Sequence, residues 1–133
     1  MDKVSNQQII EQMYKDYKAG NISAVFSFFD KDIVWIRPGA PDIPFSGTFK
    51  GIEEVIRMFT IQAETLTVTS FVPEKICTNE DTVVVLGNDT ALVKATGKTY
   101  SEDWVQAFTF KNGKIIYVQV YIDTKMIAEA CLP

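Results

Sequence analysis

The chain has 133 residues, 47% of them hydrophobic, with 13 Lys and Arg against 17 Asp and Glu. That length and apolar content suit one domain spanning 1–133, and the acidic balance without a basic cluster excludes nucleic acid and anionic membrane as expected partners. Histidine is absent, which removes Ser-His-Asp and Cys-His nucleophiles, HExxH zinc sites and imidazole acid-base chemistry together, and no metal or cofactor is expected.

The N-terminus, Met1 to Gln8, is polar and lacks an apolar h-region, and no segment approaches about eighteen unbroken apolar residues, so the chain reads as soluble and cytoplasmic. Ser5 with Gln8 is a capping-box signature, and Ile9, Ile10, Met13, Tyr14 and Tyr17 recur at helical spacing until Gly20. Asn21 is placed to cap a second helix carrying Val25, Phe26, Phe28 and Phe29, ending near Asp30 to Asp32. A strand is expected over 33–37. Pro38, Gly39, Pro41 and Pro44 then predict an irregular loop to Gly47, a candidate pocket rim. From Gly51, the spacing of Ile52, Val55, Ile56 and Phe59 predicts a third helix, with Glu53 and Glu54 in its first turn.

Beyond residue 65 the period changes. Segments 66–77, 82–95, 99–110 and 114–122 are rich in Val, Thr, Ile, Phe and Tyr, separated by Asn79-Glu80-Asp81, Gly97-Lys98 and Asn112-Gly113. An antiparallel meander follows from this, then a short helix over 125–130 capped by Asp123 or Thr124. Helices first and hairpin strands afterwards give an α+β fold. Cys77 and Cys131 lack CxxC spacing and are expected to be reduced and buried. Asn88-Asp89-Thr90 matches a glycosylation pattern by chance.

Strand parity sorts the faces. Over 99–110, Tyr100, Glu102, Trp104, Gln106, Phe108 and Phe110 share the covered face. In the last strand Ile116, Val118, Val120 and Ile122 are expected to face the helices, leaving Tyr117, Gln119, Tyr121 and Asp123 outside. That outer face of aromatic, amide and small side chains predicts a homodimer through the sheet.

Several segments, in this order, carry a resemblance: Lys18-Ala19-Gly20-Asn21, Phe28-Phe29 before Ile33-Val34-Trp35, Phe45 to Gly51, Asn112-Gly113-Lys114-Ile115-Ile116 and Tyr121-Ile122-Asp123-Thr124. The chain resembles, over nearly its whole length, the SnoaL-like and ketosteroid-isomerase-related branch of the nuclear-transport-factor-2-like superfamily. The resemblance implies a cone-shaped fold, with a curved antiparallel sheet wrapped around the N-terminal helix, two further helices and a pocket between them. It also implies where chemistry would stand. The steroid-isomerase phenol, base and neutral acid fall on Met13, Arg37 and Gln106. The cyclase histidine and aspartate fall on Gln106 and Val120, and the epoxide-hydrolase Asp-Arg-Asp set on Asp89, Gly87 and Val120. None of the three sets is retained.

Individual residues keep two readings each. Arg37 shares the inward parity of Trp35 and would bind a carboxylate, enolate or phenolate through paired hydrogen bonds, with Glu102 as its possible partner; alternatively it reaches solvent from the strand end. Gln106 either orients a ligand or bonds a neighbour. Trp35, Trp104, Phe59 and Phe108 are core or pocket wall, and Met13 and Val120 join them by position. Tyr17, one turn after Met13, offers a hydroxyl in place of the missing phenol, more readily than Tyr14. Asp123 caps the last helix or, turned inward, serves as a base beside Arg37. Asp42 is expected to be solvated. Two functions follow: a module binding a largely apolar, anionic or carbonyl-bearing small molecule, or a cofactor-independent isomerase, cyclase or hydrolase using Tyr17, Arg37 and Asp123 on a polyketide- or steroid-like substrate. A protein-interaction domain with a filled cavity is the third.

Overall fold

A computed structural model describes residues 5–39 and 41–133. The polar stretch Met1 to Val4 and Ala40 in the proline-rich loop lie outside the described residues. The elements are α1 (Asn6–Lys18), α2 (Ile22–Phe26), β1 (Phe29–Arg37), β2 (Gly47–Lys50), α3 (Ile52–Thr65), β3 (Leu66–Asn79), β4 (Thr82–Val93), β5 (Thr99–Lys111), β6 (Lys114–Tyr121) and α4 (Thr124–Cys131). One six-stranded sheet runs in the order β2-β1-β6-β5-β4-β3. It is mixed rather than antiparallel throughout, because β1 joins β6 in parallel. The architecture is α+β, a curved open sheet with helices on its concave side.

The capping box forms as its residue types dictate: the Gln8 N–H donates to Ser5 Oγ at 3.1 Å, and the Ser5 N–H donates to Gln8 Oε1 at 2.9 Å. The α1 stripe buries Ile10, Met13 and Tyr14. Asn112 and Gly113 both take positive φ, 52° and 76°, as the tight turn between β5 and β6 requires.

Four expectations are corrected. The second helix ends at Phe26, since Phe28 and Phe29 are drawn into the sheet: the Ile115 N–H donates to the Phe28 carbonyl, and Phe29 pairs with Ile115. The loop before Gly51 contains a strand, β2, whose Phe49 sits opposite Trp35 and is buried. In β6 a register shift opposite Thr109 and Phe110 turns Ile115 inward in place of Ile116, while Val118 and Val120 keep the expected phase. Cys77 is exposed, because it lies opposite Val84 on the outer face of the β3–β4 ladder; Cys131 is half-buried, and both are free thiols.

Two apolar clusters fill the concave side. The larger packs α1, α2 and α3 on the sheet around Ile10, Trp35, Met58, Val85 and Phe108. The smaller joins Ile43 and Phe45 of the proline-rich loop to Ile127 and Ala130 of α4 and to Tyr100. Asp42 beside them is exposed. The functional groups described next lie where these clusters meet.

Candidate functional site

Inward parity on β4 and β5 lines up Val85 with Gln106, Gly87 with Trp104, and Asp89 with Glu102. Gly87 is required here: a Cβ would stand 2.5 Å from both the Trp104 ring and the Val72 carbonyl oxygen. The indole therefore lies across the glycine and stacks on Phe71, with ring centroids 5.0 Å apart. Arg37, the last residue of β1, reaches the same space.

These side chains enclose a cavity of about 50 Å³ lined by Met13, Tyr14, Tyr17, Trp35, Arg37, Phe59, Gln62, Phe71, Asp89, Glu102, Trp104, Gln106 and Val120, together with Val25 and Ile122. Arg37, Asp89 and Glu102 are only 8%, 8% and 6% exposed. Three buried charged residues around one apolar cavity are costly to retain, which makes it the candidate functional site.

Arg37 points inward, not to solvent. Its Nη1 donates to Gln62 Oε1 at 2.5 Å, its guanidinium lies 4.5 Å from the Phe45 ring centroid, and its Nε has no partner. Burial pulls its pKa below the usual value, against the nearby Tyr100, Glu102, Tyr17 and Asp89. Glu102 is not its ion-pair partner. Instead Glu102 Oε1 accepts the Asp123 backbone N–H at 3.0 Å.

Burial also pushes Glu102 up to about 8, and the adjacent Asp89 adds to the rise. Asp89 is raised too, by burial, while its bond with Glu102 and the charge of Arg37 pull the other way. The two carboxyls titrate as one pair, and their burial favours keeping a proton on it. Asp89 Oδ1 is buried without a partner, as are Trp35 Nε1 and Trp104 Nε1. The Tyr14 hydroxyl donates to Gln106 Oε1 at 2.6 Å.

Of the residues singled out in the sequence, Met13, Tyr17, Trp35, Arg37, Phe59, Trp104, Gln106 and Val120 border the cavity. Phe108 does not; it is fully buried behind the wall, with its ring against Tyr14 and Trp35. Asp123 is exposed and accepts the Met126 N–H at 3.0 Å as the cap of α4, so it is no base beside Arg37. Gln62 gave no signal, because a lone amide near a helix end has no diagnostic spacing. Asp89 did give one, as a carboxylate in phase with Val83, Val85 and Ala91.

The family model of the SnoaL-like domain matches residues 10–118. The chain belongs to the SnoaL-like family. Similar solved structures include an NTF2-like protein from Burkholderia xenovorans LB400, 28% identical over 96% of this chain and 95% of that one, with a TM-score of 0.86. Another NTF2-like protein, from Burkholderia thailandensis E264, is 22% identical over 98% of this chain and 100% of that one, with a TM-score of 0.89. TerC, co-crystallized with polyporic acid, is 22% identical over 95% of this chain and 97% of that one, with a TM-score of 0.84. No curated protein matches the sequence. Among the described residues of this SnoaL-like chain, no helix is long and apolar enough to cross a membrane.

Proposed function

We propose that this SnoaL-like domain binds a small, largely apolar molecule bearing a carbonyl or anionic oxygen and moves a proton on it without a cofactor. The observation that carries this reading is the Asp89–Glu102 carboxyl pair facing one cavity with the buried Arg37. In place of Asp123, the base the sequence suggested beside Arg37, the pair offers one.

The groups divide the work by protonation state. Asp89 Oδ1, unpartnered and buried, accepts a proton from the carbon next to a carbonyl. The C–H electron pair becomes the C=C of an enolate, and the charge collects on oxygen beside the Arg37 guanidinium. Glu102 holds its own proton and hydrogen-bonds Asp89; the proton on Asp89 then returns to carbon at the same or a conjugated position. The Trp35 and Trp104 N–H groups are spare donors toward the ligand. The fold likeness to TerC, which was co-crystallized with polyporic acid, agrees with an acidic organic ligand.

The test is exchange of the α-hydrogens of 2-tetralone for deuterium, followed by NMR. Wild type is expected to exceed the buffer rate by about a hundredfold or more, Asp89→Asn to lose that excess, and Glu102→Gln, which still offers Asp89 a neutral donor, to keep most of it. A bound ketone that does not exchange reduces the domain to a binding module.

A second copy of this chain is proposed as the partner. Across the outer face run the rows Leu86, Val105, Tyr121 and Val84, Ala107, Gln119. With Leu86 and Tyr121 left 41% and 57% exposed, this face suits burial against its own copy.

A further inference from the structure

On its open side the 50 Å³ chamber abuts a much larger groove of about 740 Å³, lined by Ile22 and Phe26 of α2, Ala63 of α3, and Leu66 and Val68 of β3. Four side chains border both spaces: Tyr17, Phe59, Gln62 and Phe71. They are the partition between them. The chamber has room for an oxygen-bearing group and the carbons beside it, and not for a whole fused-ring molecule. A ligand of the kind proposed above must therefore place its head in the chamber and its body in the groove.

Three partition members are aromatic and suit a planar apolar body. The fourth is different. Gln62 lies in the last turn of α3, next to exposed Ala63 and Glu64. Its Oε1 accepts from Arg37 Nη1, and it borders the chamber together with Tyr17. A neutral amide oxygen is a weaker partner for a guanidinium than an anionic oxygen, and Arg37 Nε is still unmet in this arrangement. Two oxygens sharing one negative charge would span Nη1 and Nη2 end-on, a paired contact that a single amide oxygen cannot make.

We propose that Gln62 is a latch on a two-part ligand site: the head of the ligand, a carboxylate or the enolate of a 1,3-dicarbonyl, displaces Gln62 from Arg37, while its planar body stays in the groove between α2, α3 and β3. The inference rests on the ligand class proposed above. It adds a residue that excludes weak acceptors and a location for the larger part of the molecule. Gln62 is a positioning residue, acting through Arg37.

Trp35 and Trp104 are the chain's two tryptophans and both border the chamber, so fluorescence reads entry without knowledge of the ligand. Iodide is expected to quench wild type weakly and Gln62→Ala several-fold more. In Gln62→Glu, where the new carboxylate holds Arg37, quenching should fall to the wild-type level or below. By calorimetry, 2-naphthoate should bind Gln62→Ala about tenfold more tightly than wild type, the ratio set by one hydrogen bond to a charged group. Gln62→Met serves should the alanine variant lose its near-UV circular dichroism. Unchanged iodide quenching in folded Gln62→Ala, or in Gln62→Met where it stands in, or weaker 2-naphthoate binding by that variant, overturns the latch. Free iodide entry with no naphthoate binding by any form leaves the latch standing and overturns the ligand class. A 1,3-dicarbonyl probe, 1,3-indandione, run beside 2-naphthoate separates the two kinds of head.

Discussion

At the scale of single residues, the chemistry of the cavity turns on where protons sit when carboxyls are taken out of water. Glu102 titrates at about 8 instead of its ordinary 4.5, chiefly because it is buried. The folded protein thus keeps a proton that the unfolded chain releases. Its stability is full below pH 4.5 and falls as pH rises toward 8, then levels off. Asp89 is shifted in the same direction and deepens the fall. Thermal unfolding between pH 4.5 and 9 should show a descending melting temperature in wild type and a flatter line in Glu102→Gln; a wild-type profile that rises through this window would contradict a retained proton. Parity alone put Glu102 and Arg37 on the inner face. It did not reveal that the acid would share its proton with Asp89, because that depends on β4 and β5 lying in one register across the Gly97 turn, and periodicity within one strand carries no information about its neighbour's register.

Among the elements, those with strong local signals were legible. The capping box of α1 and the Asn112-Gly113 turn are written in adjacent residues, and they form as read. What failed was set by distant partners. Phe28 and Phe29 continue a helical stripe by spacing, yet the strand at Ile115 claims their backbone; β2 is four residues long and exists only as a neighbour of β1. The inward phase of β6 slips because of a bulge no residue type announces. Asp123 had a local reading and a site reading, and the local one is observed: its side chain caps α4. Asp123→Ala is therefore expected to cost about 1 kcal/mol of stability, measured by urea denaturation, while 2-tetralone exchange stays near wild type. Loss of exchange with stability intact would return Asp123 to the site.

For the whole molecule, the sheet separates two surfaces of different character. Its concave side holds the clusters and the charged seam between them. Its convex side presents Tyr117, Gln119 and Tyr121 beside Val84, Leu86, Val105 and Ala107, with Cys77 on the same face. Sedimentation at micromolar concentration is expected to give a dimer, and Tyr121→Glu a monomer that still binds 2-naphthoate; a monomeric wild type would sink the proposal. The parallel seam between β1 and β6 has another consequence, in the order of events during synthesis. Residues 34–36 pair with 117–119, so β1 waits for nearly the entire chain before gaining its inner neighbour, and Tyr14 waits for Gln106. Contacts this far apart slow folding. Arg37 emerges from the ribosome long before Asp89 and Glu102, so its charge is buried only once the last strands arrive. The cavity is thus a late product of translation, and a nascent chain halted before β6 would hold the arginine but not the enclosure around it.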